Sequence, residues 1–377
     1  MTPRERIRTA MNLGMPDRVP VMAQLSIGHM LVQLGASPVD FWHDQATFAE
    51  GLVRLRELYQ FDGILVSLHG HDPGWRHKVR ERKIVEGEEM VVWNNGDAMV
   101  YPPDDLPRPL SPPPPTVALA ELSSSHPPGA LEYIPVSQGL RFRIHAANRF
   151  DIFRILRKKA GEDISIHGEV TSPFDYYLDF VGHEQGLVGL VEFPNEARRV
   201  LSAFSLLVSG LAKEMCKEDI DAVKISSPFA GAGFISPEMY REFVLPCETP
   251  VVQAIQQNGI PAYLHTCGSI GDRLEIMLES GVRGLECLDP PPLGNVELEE
   301  AKKRVQRRAF IKGNVDSVHT LLEKETADIL NDLKMRIRVG KAGGGFILST
   351  ACSVAPRVER EKIGLLRQAA DRWGGTP

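Results

Sequence analysis

The sequence predicts an α/β fold, a closed (β/α)₈ TIM barrel that forms a single domain over residues 1–377. Strands that alternate with helices form a parallel sheet, and eight such units close into a barrel. An open, doubly wound sheet is the alternative, although no Gly-x-Gly-x-x-Gly motif follows the first expected strand. The eight apolar runs that predict strands begin near residues 19, 62, 164, 222, 261, 284, 309 and 346.

The N-terminal segments already alternate between helix and strand. Residues 4–12 have the spacing of a short amphipathic helix, and a first strand is expected over 19–26. Apolar residues at helical spacing then predict helix through 38–60, and the apolar run at 62–68 predicts the second strand.

Residues 72–130 interrupt this rhythm and are interpreted as an insertion on the barrel after the second strand. Lys83 to Tyr101 alternates apolar and polar residues, and Asn95-Gly96 is a strong signal for a hairpin turn. Residues 102–129 are rich in proline, including Pro112 to Pro115, which predicts an extended arm. A long unstructured loop is unusual in a compact domain, so we expect this arm to pack as a lid or at an interface.

The alternation resumes after residue 130. Ser236-Pro237-Glu238 predicts a helix start, with serine as the cap and proline at the first helical position. The other expected helices lie at about 146–160, 174–184, 193–217, 270–280, 296–305, 318–337 and 357–373.

Composition excludes several classes of protein. The net charge is −6 and no basic stripe is present, so we expect no nucleic-acid partner. No run approaches the ~20 apolar residues of a membrane span, and the N-terminus lacks an apolar signal core. The five cysteines are too sparse for a disulfide framework. A reducing cytoplasm is therefore the expected location, where thiolates stay free to bind metal.

Three soft metal ligands follow two of the predicted strands. His265 and Cys267 end the fifth strand, and Cys352 ends the eighth. In a barrel the carboxyl ends of the strands surround the active site. An imidazole and two thiolates are ligands that zinc prefers, and three protein ligands leave one position open for chemistry. The remaining residues, Cys216, Cys247 and Cys287, are interpreted as small core residues.

Other polar side chains also follow strands. Glu169 is a candidate oxygen ligand for the metal, and a rim ion pair with a lysine or arginine is the alternative. His69, His167 and Glu286 are candidates for binding substrate. Phe174, Tyr176 and Tyr177 are also expected to supply apolar walls for the substrate pocket.

A metal with two thiolate ligands suits two reactions. It holds a substrate thiol as a nucleophilic thiolate, or it polarises an ether or alcohol oxygen so that the attached methyl group leaves. Both reactions transfer a methyl group.

The motifs resemble the uroporphyrinogen decarboxylase superfamily, and within it the zinc-dependent methyltransferases linked to cobalamin. That branch includes coenzyme M methyltransferases and the methyltransferase components of O-demethylases. The similar segments span most of the chain: Thr2-Pro3-Arg4-Glu5-Arg6, Asp17-Arg18-Val19-Pro20-Val21, Ile235-Ser236-Pro237-Glu238-Met239-Tyr240, Leu264-His265-Thr266-Cys267-Gly268, Gly313-Asn314-Val315-Asp316 and Cys352-Ser353-Val354-Ala355-Pro356.

The resemblance implies a (β/α)₈ barrel with zinc bound by His265, Cys267 and Cys352, and with Glu169 as the best match to an oxygen ligand. It also implies a separate corrinoid protein as partner, whose cobalt exchanges a methyl group at the barrel mouth. The favoured small substrate is a methyl donor such as a methoxylated aromatic. A methylcobalamin:thiol transferase, similar to those that use coenzyme M, is one alternative.

The chain departs from the decarboxylases at the first strand. Those enzymes carry a basic stretch there, whereas residues 22–29 contain no arginine, so a substrate with many carboxylates would lack counter-charges. A metal-free decarboxylase-like enzyme and a non-catalytic barrel that binds a corrinoid protein stay as further alternatives. The oligomeric state is open, with a homodimer as one option because the Pro-rich arm can embrace a second subunit.

Overall fold

A seven-stranded parallel sheet forms the centre of the structure, a computed structural model that describes residues 1–112, 115–137, 139–305 and 307–375. The strands of the described residues are, in chain order, β1 (Gly63–Val66), β2 (Val79–Val85), β3 (Glu88–Trp93), β4 (Ala98–Tyr101), β5 (Arg108–Pro109), β6 (Tyr133–Ser137), β7 (Leu140–Arg143), β8 (Ser165–Thr171), β9 (Ala222–Ser226), β10 (Ala262–Thr266), β11 (Gly284–Cys287), β12 (Phe310–Val315) and β13 (Phe346–Thr350). The parallel sheet has the order β1-β8-β9-β10-β11-β12-β13.

Helices connect the parallel strands, as the predicted alternation requires. The α-helices of the described residues are α1 (Pro3–Met11), α2 (Ile27–Leu34), α3 (Pro38–His43), α4 (Gln45–Tyr59), α5 (Asp151–Ala160), α6 (Pro173–Val181), α7 (His183–Glu192), α8 (Pro194–Met215), α9 (Pro237–Met239), α10 (Leu245–Gln256), α11 (Leu274–Glu279), α12 (Leu298–Val305), α13 (Thr326–Lys341) and α14 (Arg360–Trp373). A π-helical turn, Tyr240–Val244, joins α9 to α10. Within the described part of the chain, no helix has both the length and the hydropathy of a membrane span.

The expected first strand closes the sheet into a barrel, although it does not form a regular strand. Val21 makes a parallel bridge to Leu348 of β13, and its carbonyl accepts the N–H of Asp62, just before β1, at 2.8 Å. Pro20 has no N–H to donate, which limits the regular ladder at this point. The segment therefore completes the barrel between β13 and β1, at the place where the sequence predicts the first strand.

A buried carboxylate fixes this closing segment. Asp62 is fully buried and accepts hydrogen bonds from Arg6 at 2.7 Å, from Arg18 at 2.9 Å and from the Val21 N–H at 2.8 Å. Buried charges must be paired, so the two arginines and the backbone together compensate the carboxylate. The Asp17-Arg18-Val19-Pro20 segment thus has a structural role in barrel closure.

The barrel interior is layered from its amino-terminal end to its carboxyl-terminal end. At the amino-terminal end, Ala222, Tyr263, Phe310 and Ile347 pack with Met22 and with apolar residues of α1, which forms the floor. Two residues further along their strands come the buried polar side chains of Lys224, His265, Lys312 and Ser349. Because side chains two apart on a strand share a face, these polar residues also point into the barrel, above the floor.

The segment after β1 contains the expected hairpin as part of a larger antiparallel sheet. Strands β2 to β5 make an antiparallel sheet, with Asn95-Gly96 in the turn between β3 and β4. Gly96 has φ of +93°, the left-handed conformation that glycine tolerates best. In the Pro-rich stretch, Pro113 and Pro114 lie outside the described residues. The assignment of 72–130 as an insertion within one domain stays a prediction.

Some helix boundaries differ from the prediction. α13 begins at Thr326 rather than near 318, because the Asp316 carboxylate accepts the N–H groups of Val318 and His319 and holds a local turn there. Two helices, α2 and α7, were not predicted. α2 begins where the first strand was expected to end, with Ser26 as its cap.

The buried Asp62 predicts a large stability difference between two carboxylates that contact the same arginine. Asp62→Ala is expected to lower the free energy of unfolding by about 3–5 kcal/mol, because it leaves buried arginine charge uncompensated. Asp371 contacts Arg18 at 3.2 Å but is half-exposed, so Asp371→Ala should cost less than about 1 kcal/mol. Urea unfolding followed by circular dichroism measures both; equal losses would contradict the closing role of Asp62.

Candidate metal centre

The three predicted soft ligands converge at the carboxyl-terminal end of the barrel. His265 lies on β10, Cys267 follows that strand, and Cys352 follows β13. Nε2 of His265 is 3.2 Å from Sγ of Cys267, which is 3.6 Å from Sγ of Cys352. All three ligand atoms lie within 4.8 Å of one another. Among the described residues, this is the group of histidine, cysteine and carboxylate side chains with the geometry to hold a metal ion.

Local backbone geometry turns the Cys267 side chain toward the site. Gly268 has φ of +74°, so the chain reverses immediately after Cys267. The Gly268 N–H donates to Oδ2 of Asp289 at 2.7 Å, which fixes that turn. The sequence His-x-Cys-Gly therefore supplies two candidate ligands and the turn that presents the second one.

Glu286 orients His265, the imidazole among the candidate ligands. Its carboxylate is fully buried on β11, and Oε2 is 3.0 Å from Nδ1 of His265. A carboxylate only accepts hydrogen bonds, so Nδ1 donates to Glu286, and Nε2 is the ring nitrogen left to supply a lone pair to a metal ion. Metal-binding histidines commonly donate their other ring N–H to a carboxylate in this way.

Two buried lysines compensate Glu286. Lys312 contacts Oε1, and Nζ of Lys224 lies 3.4 Å from Oε2. Burial opposes ionisation, but the two ammonium groups hold the pKa of Glu286 well below its ordinary value. Glu286 borders neither cavity of the site described below, and its predicted substrate-binding role stays a prediction.

Cys287 is a neighbour of the site that the sequence analysis assigned to the core. It is fully buried at the end of β11, donates from Sγ to Oδ2 of Asp289 at 3.1 Å, and lies against the Cys267 and Cys352 thiols. Burial raises the pKa of the Cys287 thiol, so it stays protonated beside the ligands. Its φ of +81°, rare for a non-glycine residue, has no signal in the sequence.

Two neighbouring cavities share part of their walls, and one of them adjoins the three candidate ligands. We call the larger one, of about 400 Å³, the inner cavity; it is bordered by His265, Cys267 and Cys352. The smaller one, of about 150 Å³, we call the side pocket. The residues that border both are Ile27, Ser67, Val136, Glu169, Ser226 and Pro228.

Glu169 borders both cavities but is engaged by a lysine. Its Oε2 is 3.3 Å from Nζ of Lys224, which corresponds to the ion pair considered as the alternative to ligation. The group of potential ligand atoms consists of His265, Cys267 and Cys352 without it. A role of Glu169 as oxygen ligand stays a prediction.

The other candidate residues lie away from the cavities. His69 is buried against Phe150, with ring centroids 5.4 Å apart, and His167 contacts the Tyr263 hydroxyl at 3.1 Å. Neither histidine borders the inner cavity or the side pocket, and their substrate-binding roles stay predictions.

The expected aromatic walls are wrong. Phe174, Tyr176 and Tyr177 are buried in the core, where Tyr176 donates to the Tyr133 carbonyl and Tyr177 to the Gly186 carbonyl. These residues lie on α6, which packs on α8. Their side chains therefore fill the helix layer instead of bordering either cavity.

Comparisons with known proteins agree with this architecture. The sequence profile described as Uroporphyrinogen decarboxylase (URO-D) matches residues 136–373. The chain is 25% identical over 240 residues to methylcobamide:CoM methyltransferase MtaA of Methanosarcina barkeri, covering 64% of this chain and 67% of that protein. It is 26% identical over 216 residues to methylcobamide:CoM methyltransferase MtbA of Methanosarcina acetivorans, covering 56% of this chain and 60% of that protein.

A solved structure shares the whole fold. A methyltransferase from Methanosarcina mazei superposes with a TM-score of 0.72 over 99% of both chains, at 20% sequence identity. This likeness confirms the predicted TIM-barrel fold.

The geometry of the centre predicts which cysteines react with an alkylating agent. After treatment with a chelator, Cys267 and Cys352, which are half-buried, should be alkylated by iodoacetamide, and added divalent metal should protect both. Cys287, Cys216 and Cys247 are buried and should react only when the chain is unfolded. Peptide mass spectrometry measures alkylation at each cysteine. If added metal did not lower the alkylation of Cys352, the assignment of Cys352 as a metal ligand would be contradicted.

Proposed function

The chain belongs to the uroporphyrinogen decarboxylase family, and from that premise we propose that it is a zinc-dependent methyltransferase. In this proposal it moves a methyl group between a small substrate and the cobalt of a corrinoid protein. The observation that carries the proposal is the convergence of one imidazole and two thiols at the end of the inner cavity.

The donor set fits zinc. Histidine nitrogen and cysteine sulfur are the ligands that zinc prefers, and two thiolates compensate its charge. His265, Cys267 and Cys352 would hold the ion, with Glu286 fixing the orientation of the imidazole. All three side chains border the cavity, so a ligand position is accessible to a small molecule.

The chemistry divides between bound groups and protein side chains. Zinc supplies a Lewis acid for the oxygen or sulfur of the substrate, and the partner's corrinoid supplies the cobalt that exchanges the methyl group. The protein orients His265 through Glu286, keeps Glu286 ionised through Lys224 and Lys312, and holds the substrate in the inner cavity beside the three candidate ligands. These contacts preorganise the ligands before any substrate arrives.

We favour a small methyl donor such as a methoxylated aromatic. Leu25, Ile27, Leu106 and Val136 give the inner cavity an apolar wall next to the metal ligands. An aromatic ring gains from burial against such a wall, while its methoxyl oxygen reaches the metal position.

Methylation of a thiol is the second candidate. MtaA and MtbA, to which this chain is similar, carry the name methylcobamide:CoM methyltransferase, and this observation favours it. The same three ligands serve either direction of transfer, because zinc binds a thiolate as well as an oxygen.

Decarboxylation of a porphyrinogen has no support from the cavity. Gln24, Leu25, Ser26 and Ile27 border it where the decarboxylases resembled by the sequence carry basic residues. Among the described residues, one arginine, Arg56, borders the inner cavity. Its Nε donates to the Phe61 carbonyl at 2.8 Å. A substrate with many carboxylates would stay uncompensated here.

A homodimer and a cytoplasmic location stay predictions.

Zinc content tests the metal assignment. Purified wild-type protein should contain about one zinc per chain, and His265→Ala and Cys352→Ser should lose it, because each removes one of only three ligands. Cys287→Ser is the matched control and should keep its zinc, since the Cys287 thiol bonds to Asp289. Elemental analysis measures all four proteins. Loss of zinc from Cys287→Ser would indicate a closed four-ligand site instead, as in a non-catalytic barrel.

Methyl transfer to free cobalamin tests the activity. Wild-type protein with reduced cob(I)alamin and a methoxylated aromatic should form methylcobalamin, followed by its visible absorbance. Cys352→Ala should lower that rate at least about 100-fold, because metal polarisation of the donor is lost. Methylation of an added thiol by methylcobalamin, without demethylation of any ether, would instead support the second candidate. A wild-type rate in Cys352→Ala would contradict both.

A further inference from the structure

The side pocket extends the inner cavity away from the metal ligands. Six residues border both spaces, so a substrate whose reactive end lies at the metal centre would place its other end in the side pocket. The apolar part of its wall includes Leu68, Ile134, Leu140 and Phe229. The charges of this wall therefore bear on which substrate the site accepts.

Three carboxyl groups, from Glu169, Asp175 and Asp179, border the side pocket. Among the described residues, no lysine or arginine borders it. An anionic substrate group placed there would therefore meet carboxyl groups and no permanent cation.

Two of the three carboxylates are compensated from behind the wall. Asp179 accepts from Nε of Arg141 at 2.9 Å and from the Tyr133 hydroxyl at 2.8 Å. Glu169 pairs with the fully buried Lys224 at 3.3 Å. Each carboxylate is thus paired with a cation that does not border the side pocket.

The third carboxyl group is held neutral. Asp175 is buried at the start of α6, where Oδ2 accepts the Ser172 hydroxyl at 2.5 Å. Burial, with the nearby Glu248 carboxyl, raises the pKa of Asp175 to about 8. At neutral pH the wall therefore carries two compensated ion pairs and one protonated acid. His183, whose ring centroid lies 4.5 Å from that of Phe229, is the remaining titratable side chain among the described residues that border the pocket.

We propose that the side pocket makes this protein selective for an uncharged methyl donor. This inference rests on the proposed function, because it assigns the substrate class of the same site. A carboxylate or sulfonate entering the pocket would lose its hydration without gaining a counter-charge, and a quaternary ammonium would find carboxylates already paired. The inference separates this chain from a transferase whose thiol substrate carries a sulfonate, such as coenzyme M.

Three methoxylated compounds that differ in the charge of the group at the para position test the inference. Methoxybenzene, 4-methoxybenzoate and 4-methoxyphenyltrimethylammonium share the ring and the methoxyl group but are neutral, negative and positive. Binding to the zinc-containing full chain is measured by calorimetry without cobalamin. Methoxybenzene should bind at least about tenfold more tightly than either charged compound. The free energy lost on burying an uncompensated charge is larger than the free energy that corresponds to a tenfold change in Kd.

Two isosteric variants on α6 show whether the wall charges cause the preference. Asp179→Asn leaves the positive charge of Arg141 unpaired behind the pocket, so binding of 4-methoxybenzoate relative to methoxybenzene should rise at least about fivefold. Asp175→Asn replaces a neutral acid by a neutral amide, and that ratio should stay within about twofold. Circular dichroism confirms that both variants are folded.

Each remaining outcome contradicts the inference. Tighter binding of either charged compound, an unchanged ratio in Asp179→Asn, or no binding of any of the three compounds would overturn it. Failure of the proposed function has a different signature. Methoxybenzene would bind with the expected preference, yet no methylcobalamin would form from any uncharged methoxylated donor with cob(I)alamin.

Discussion

The buried carboxylate of Glu286 is the interaction on which the centre of this barrel depends. It accepts from His265 and compensates Lys224 and Lys312, so four strands contribute to one charge network that water does not reach. Charges inside a protein are tolerated only when they are paired. The network therefore fixes the imidazole, beside which the Cys267 and Cys352 thiols lie.

The same principle of paired charges organises the substrate side. Lys224 contacts both Glu286 and Glu169, so one ammonium group connects the metal centre to the cavity wall. Arg141 compensates Asp179 further along that wall. The cavities thus combine the three candidate metal ligands with a side-pocket wall whose Glu169 and Asp179 carboxylates are paired, which suits the uncharged substrate proposed above.

Much of this architecture could be predicted from the sequence. The strand positions, the barrel and the group of His265, Cys267 and Cys352 follow from apolar periodicity and from ligand types at strand ends, and the structure brings these three residues together. What escaped prediction depends on tertiary packing. Cys287 reaches the site through a left-handed backbone conformation, and Phe174 lies in the helix layer because of how α6 docks on α8. Glu286 was recognised as a site residue, but only the neighbouring strands show that it contacts a ligand and two lysines.

In the proposed centre, zinc is held by one histidine and two cysteines, with one position left for substrate. X-ray absorption spectroscopy at the zinc edge, on the purified full chain, measures these neighbours. We expect two sulfur neighbours at about 2.3 Å and two nitrogen or oxygen neighbours at about 2.0–2.1 Å, one of the latter replaced when a thiol is added. Three sulfur neighbours, unchanged by any thiol, would contradict it, because Cys287 would then complete a closed structural site.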